Sequence, residues 1–148
     1  MSRILSLTAL TLALVGAGFT ATAAEAASRR VVDPNPQGGV TATTVAAHRG
    51  ANGATALRAG KTATAADGTM HHASAIRAQS AKGSVQSSGS SSRDAAGDLT
   101  QARSSTITSA ATGDTMKTSS SYSKDTGRTR SASCYDANGG NIACPTHP

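Results

Sequence analysis

The sequence predicts a chain that is mostly disordered after removal of a signal peptide, with a small C-terminal all-β antiparallel meander as its ordered part. Three observations carry this reading. An apolar stretch at the N-terminus precedes small-residue cleavage sites, few large apolar side chains follow it, and a glycine-terminated turn signature recurs in the last third. They divide the chain into a signal peptide at 1–26, a disordered Ala/Gly/Ser/Thr-rich region at 27–92 and a disulfide-clipped β-hairpin meander at 93–148.

The signal peptide rests on its three parts. Arg3 supplies the positive n-region, and Ile4 to Val15 form an apolar run of about a dozen residues, short of the roughly 20 needed to span a bilayer. Ala21-Thr22-Ala23 and Ala24-Glu25-Ala26 both satisfy the A-x-A cleavage pattern. Cleavage after Ala26 is preferred, with Ala23 and Ala24 as neighbours. No cysteine follows the run, so a lipoprotein anchor is not available. The expected product is exported to the periplasm or beyond and carries no transmembrane segment.

The disordered region rests on composition. After Ala26 the chain holds ten Val, Ile, Leu and Phe residues, roughly 8 % of what remains, against a threshold of about 20 % below which disorder is expected. Alanine, which buries little area, supplies most of the apolar count. Ordering each residue costs about 1–2 kcal/mol of backbone entropy. Pro34, Pro36 and Gly38-Gly39 read as linker, Ala73 to Lys82 as at most a short helix, and Ser87 to Ser92 as a flexible Gly/Ser tract.

The meander rests on its turns. Asp94-Ala95-Ala96-Gly97, Ala110-Ala111-Thr112-Gly113, Lys124-Asp125-Thr126-Gly127 and Asp136-Ala137-Asn138-Gly139 recur between Ser/Thr-rich, proline-free runs. Aspartate opening a turn and glycine closing it suit a type I turn with a bulge. Gly97, Gly113, Gly127 and Gly139 therefore mark the corners, with weaker echoes at Asn52-Gly53 and Ala65–Gly68. About four strands fit between residues 93 and 145, thin and exposed on both faces. Met116, Thr118, Ser120 and Tyr122 share one face of the middle strand.

The D-x-x-G units ending in Tyr135-Asp136-Ala137-Asn138-Gly139 resemble the YD/Rhs-type repeats of bacterial surface and secreted proteins. The tail also resembles that of short uncharacterised exported proteins of Gram-negative bacteria ending in Cys-Tyr-Asp…Gly…Cys-Pro. The resemblance covers the last third of the chain. The long arrays of Rhs proteins are absent, so a toxin-shell role is not implied.

Cys134 and Cys144 are the only cysteines. In an exported chain this pair reads as a disulfide. The turn Asp136–Gly139 brings them within about two residues of facing one another, diagonally or directly. Their spacing matches neither a C-x-x-C redox pair nor a zinc knuckle.

No catalytic constellation is visible. A G-x-S-x-G elbow and a phosphate-binding glycine loop are absent, and the scattered aspartates lack a cleft. The expectation is a non-catalytic protein without cofactor. His71 and His72, with His48, are the candidates for a low-affinity Cu or Ni site. The mature chain carries 13 Lys/Arg, 7 Asp and no Glu, which predicts salt-screened attraction to anionic envelope polymers. With almost no aromatics to stack on bases, sequence-specific nucleic-acid recognition is not expected. The roles that fit are an envelope surface, matrix or adhesion component or, as the alternative, a periplasmic metal binder.

Overall fold

The computed structural model describes residues 25–50 and 52–145. The body of the expected signal peptide, with cleavage candidates Ala23 and Ala24, lies outside them. The described residues form nine strands and no helix: β1 (Glu25–Pro34), β2 (Val40–Arg49), β3 (Thr55–Thr64), β4 (Met70–Ser80), β5 (Gly83–Arg93), β6 (Leu99–Ser109), β7 (Thr115–Ser123), β8 (Gly127–Tyr135) and β9 (Asn141–Ile142). Each pairs antiparallel with the next, giving one sheet in the order β1 to β9. The bond after Ala26, the preferred cleavage site, falls inside β1. No helix among the described residues is long and apolar enough to cross a membrane.

The expected meander is present as β6 to β9, but it is less than half of the sheet. Residues 27–92, expected to be disordered, carry β1 to β5. Three local readings change with them. The proposed short helix is most of β4, the serine tract lies within β5, and the proline-containing linker is a hairpin joining β1 to β2. Backbone ladders, not a core, account for the difference. β4 pairs along its whole length with β3 on one side and β5 on the other, so both edges of its peptide groups are satisfied. Only Ala59 and Cys134 are buried apolar residues among those described. Tertiary pairing overrides the helix preference of the alanines.

The turns supply the second part. Five of them, beginning at Asn35, Gly50, Ala65, Asp94 and Asp136, share one geometry. The first residue's N–H donates to the C=O four residues on, and its own C=O accepts from the N–H three residues on. This is a type I turn followed by a bulge residue with positive φ, which is Gly38, Gly53, Gly68, Gly97 and Gly139 respectively. Pro36 occupies the second position of its turn, where a fixed φ is favourable. Asn35 and Asp136 reinforce their turns through side-chain Oδ1 atoms that accept from two backbone N–H groups each.

Neighbouring hairpins also touch along the two rims. Asn35 Nδ2 donates to the Thr64 carbonyl (2.7 Å), and the Ala66 N–H donates to the Gln37 carbonyl (3.1 Å). On the opposite rim, the Ala110 N–H donates to the Lys82 carbonyl (3.1 Å). The Lys124–Asp98 ion pair (2.7 Å) joins two further turns, though its exposure keeps its contribution within about 0–1 kcal/mol.

Candidate functional site

A single-layer sheet has two faces, and the strand registers decide what each displays. Side chains alternate along a strand, and paired residues share a face. Following the register from strand to strand places Arg30, Arg58, Arg93, Arg103, Arg128 and Arg130 on one face. No strand residue on that face is a carboxylate. Among the described residues none of these six guanidiniums is ion-paired.

The other face is hydroxylic over β5 to β8. Ser88, Ser104, Ser119 and Ser131 lie in one row across those four strands. Hydroxyl pairs bridge the strands at Ser92–Thr100, Ser119–Ser131 and Ser121–Thr129, each at 2.7 Å. Over β3 and β4 the same face is lined by Ala59, Ala73 and Ala75, and small side chains from β2 to β7 leave an open trough of about 620 Å³ along it. Its cations, Arg29, Arg49, Arg77, Lys61 and Lys117, share the face with Asp33. Lys117 Nζ stands 5.0 Å from the centre of the Tyr135 ring.

On the arginine face a second trough, of about 610 Å³, runs over β4 to β8. Its floor includes Gly89, and its walls carry His72, Gln101, Arg103, Tyr122 and Arg128. Arg103 is anchored across the sheet. Its Nη1 donates to Ser87 Oγ (2.9 Å) and its Nη2 to Ser74 Oγ (3.1 Å). The guanidinium thus lies over Gly89, where an added Cβ would sit 3.3 Å from Arg103 Cζ and 2.9 Å from the Ala102 carbonyl. Tyr122 is 40 % exposed and is paired in register with Gln101 on one side and Arg128 on the other.

One end of the arginine face holds an apolar row, Val85, Ile107, Met116, Cys134 and Ile142, contributed by β5 to β9. Cys134 and Cys144 form a disulfide with a Cα–Cα distance of 5.1 Å. Cys134 pairs with Ile142 in the ladder, so the bridge is the diagonal one of the two geometries expected. It fastens the two-residue β9 to the edge of β8. Disulfides of this kind are more typical of exported proteins.

The corner glycines Gly97, Gly113, Gly127 and Gly139 have φ values of 90°, 75°, 67° and 85°. Gly38, Gly53, Gly68 and Gly83 share this property, and the interval from one to the next is 15 residues in each case (53 − 38, 68 − 53, 83 − 68). That continuing spacing was the available signal for the N-terminal half of the sheet. At Asp67 the Thr69 backbone N–H (2.9 Å), with help from the Thr69 side chain, holds the carboxyl below its ordinary value of 3.8.

The histidines are not brought together. His71 lies on the hydroxyl face and His72 on the arginine face, as adjacent strand residues must. His72 Nδ1 is 2.8 Å from Thr62 Oγ1. His48 shares the arginine face but sits six rows from His72, about 20 Å along the strand direction. Among the described residues no group of three or more His, Cys, Asp or Glu is placed to hold a metal ion. No family model, curated protein or solved structure matches the chain.

Proposed function

We propose that the chain is a non-catalytic, exported component of the cell envelope or its surroundings. In this reading it adheres to anionic polymers through its arginine face. The observation that carries the reading is that six guanidiniums stand on a face whose strands contribute no carboxylate, whereas the five cations of the other face share it with Asp33. Such a surface concentrates anionic chains by a field that salt screens. An open sheet also gives a long polymer unobstructed access, which a catalytic cleft would not. The hairpin repeats, of the kind seen in bacterial surface proteins, and the disulfide both suit life outside the cytoplasm. The metal-binding alternative, using His48, His71 and His72, gains no support from their separation.

Two variants of equal charge test the reading on an immobilised polygalacturonate column. R30Q/R58Q removes two charges from the arginine face, and K61Q/K117Q removes two from the hydroxyl face. The first is expected to elute at distinctly lower salt than wild type, and the second close to wild type. Equal shifts would show that net charge alone is at work and would refute the role of the face.

A further inference from the structure

We infer that the trough over β4 to β8 is a binding site for an acidic sugar unit, a carboxylate-bearing pyranose within a polysaccharide. The inference rests on the polyanion reading above and sharpens it by naming the ligand class and its seat.

The register builds the seat as a small grid. Ser120 lies between Arg103 and Arg130, and Tyr122 lies between Gln101 and Arg128. The grid measures about 10 Å across the strands and about 7 Å along them. Charge, amide, hydroxyl and ring thus fall within the footprint of one or two sugar rings. Each has a matching role. Arginine is the side chain suited to clasp a carboxylate through two parallel N–H donors. The half-exposed Tyr122 ring offers a flat apolar surface to the C–H face of a pyranose, with its own hydroxyl at the rim. Gln101, Ser91 and Ser120 offer donors and acceptors for ring hydroxyls.

Arg103 is already organised for this task. The hydrogen bonds to Ser87 and Ser74 use two of its five N–H donors. The remaining donors stay available to a ligand, and the guanidinium does not have to be ordered on binding. Gly89 makes this possible by leaving room beneath the guanidinium.

A nucleic acid fits this surface less well. Binding to single strands relies on successive aromatic platforms, and the mature chain has two tyrosines on opposite faces. Tyr122 stands alone on the arginine face, while Tyr135 is engaged by Lys117 on the other. The hydroxyl-rich surroundings of the trough match the many hydroxyls of a sugar, which a phosphodiester backbone lacks.

Titration of the mature, oxidised protein with trigalacturonate at physiological salt, followed by amide chemical shifts, tests the assignment. Shifts are expected to centre on Gln101, Arg103, Ser120 and Tyr122. Y122A and R103Q should each weaken binding about ten-fold, whereas Y122F should stay near wild type. The methyl ester of the same trisaccharide should bind far more weakly, because it lacks the carboxylates. Unchanged affinity in folded Y122A or R103Q, equal binding of the ester, or an oligothymidylate that depends equally on Tyr122 would each overturn the sugar site. Those results would leave the column behaviour of R30Q/R58Q intact. Loss of all retention of the wild-type protein on polygalacturonate would instead refute the wider reading and the site together.

Discussion

The two faces of the sheet are drawn from the same strands and differ in emphasis. One carries six arginines with no strand carboxylate, Tyr122 and a short apolar row. The other carries five cations together with Asp33 and, over β5 to β8, presents small hydroxylic groups joined by cross-strand bonds. The difference shows how a chain with almost no core separates cohesion from recognition. Serine and threonine pairs on the hydroxyl face tie strand to strand. The arginine face holds its cations free of carboxylates.

The sharpest way to probe this division is the disulfide, which lies at the apolar end of the arginine face. Closing so short a loop is worth about 2–3 kcal/mol by chain entropy. Reduction should therefore lower the midpoint of urea unfolding markedly. An unchanged midpoint would show that β9 adds nothing to the stability of β8.

Two mid-strand glycines on the arginine face should respond with opposite signs. At Gly89 a methyl group would press on the Ala102 carbonyl and on Arg103. G89A should cost about 1–3 kcal/mol and release the guanidinium from Ser74. At Gly60 an added methyl would find its nearest neighbour, His72 Cε1, 3.7 Å away, which is ordinary contact. G60A should stabilise by about 0.4–1 kcal/mol through the unfolded state. Thermal melts of the pair measure both, and destabilisation of similar size at the two sites would remove any special role for the space under Arg103.

A smaller effect is expected on the hydroxyl face. S119A breaks one exposed bond to Ser131 and should cost about 0.5 kcal/mol, with no change in polygalacturonate retention. A lowered elution salt would break the proposed division of labour.

The smallest effect concerns Asp67, at the rim between the faces. Its carboxyl is held below the ordinary value by the Thr69 N–H. The ionised group therefore supports its turn above the ordinary aspartate range, and that support is lost as pH falls through the lowered value. The Thr69 amide shift should titrate with a midpoint below 3.8 in wild type and lose that step in D67N. A midpoint at or above 3.8 would contradict the sign.

The C-terminal strands were legible because Asp94 and Asp136 open turns that Gly97 and Gly139 close, leaving proline-free runs between them. The N-terminal strands were not, and the reason is chemical. Their turns use NPQG, GANG and AADG, and only Gly38, Gly53 and Gly68 keep the interval. Apolar alternation, the usual mark of a strand, is blurred when both faces carry small residues such as alanine, serine and glycine, as in β4 and β5. Pro34 and Pro36 argue for a linker until Pro36 is seen at the second position of a turn. Although the spacing of Cys134 and Cys144 left direct and diagonal geometries equally open until the ladder set Cys134 opposite Ile142, the disulfide itself could be anticipated from the pair. The arginine face could not, because Arg58, Arg103 and Arg128 share a side only once the successive turns have fixed the register.

The serial order of the strands has a mechanical consequence. Among the described residues each strand is laddered only to its chain neighbours. The rim contacts and the Arg103–Ser74 bond reach no further than the next hairpin or the next strand but one, so the sheet behaves as a nearly one-dimensional array. The disulfide clamps β9 to β8 at one end, while β1 is held on one side only. A pull on the ends should peel the sheet hairpin by hairpin from β1, extending it in short steps instead of one rupture. A polymer-bound molecule of this design would yield under shear by lengthening, with its covalently locked end the last to open.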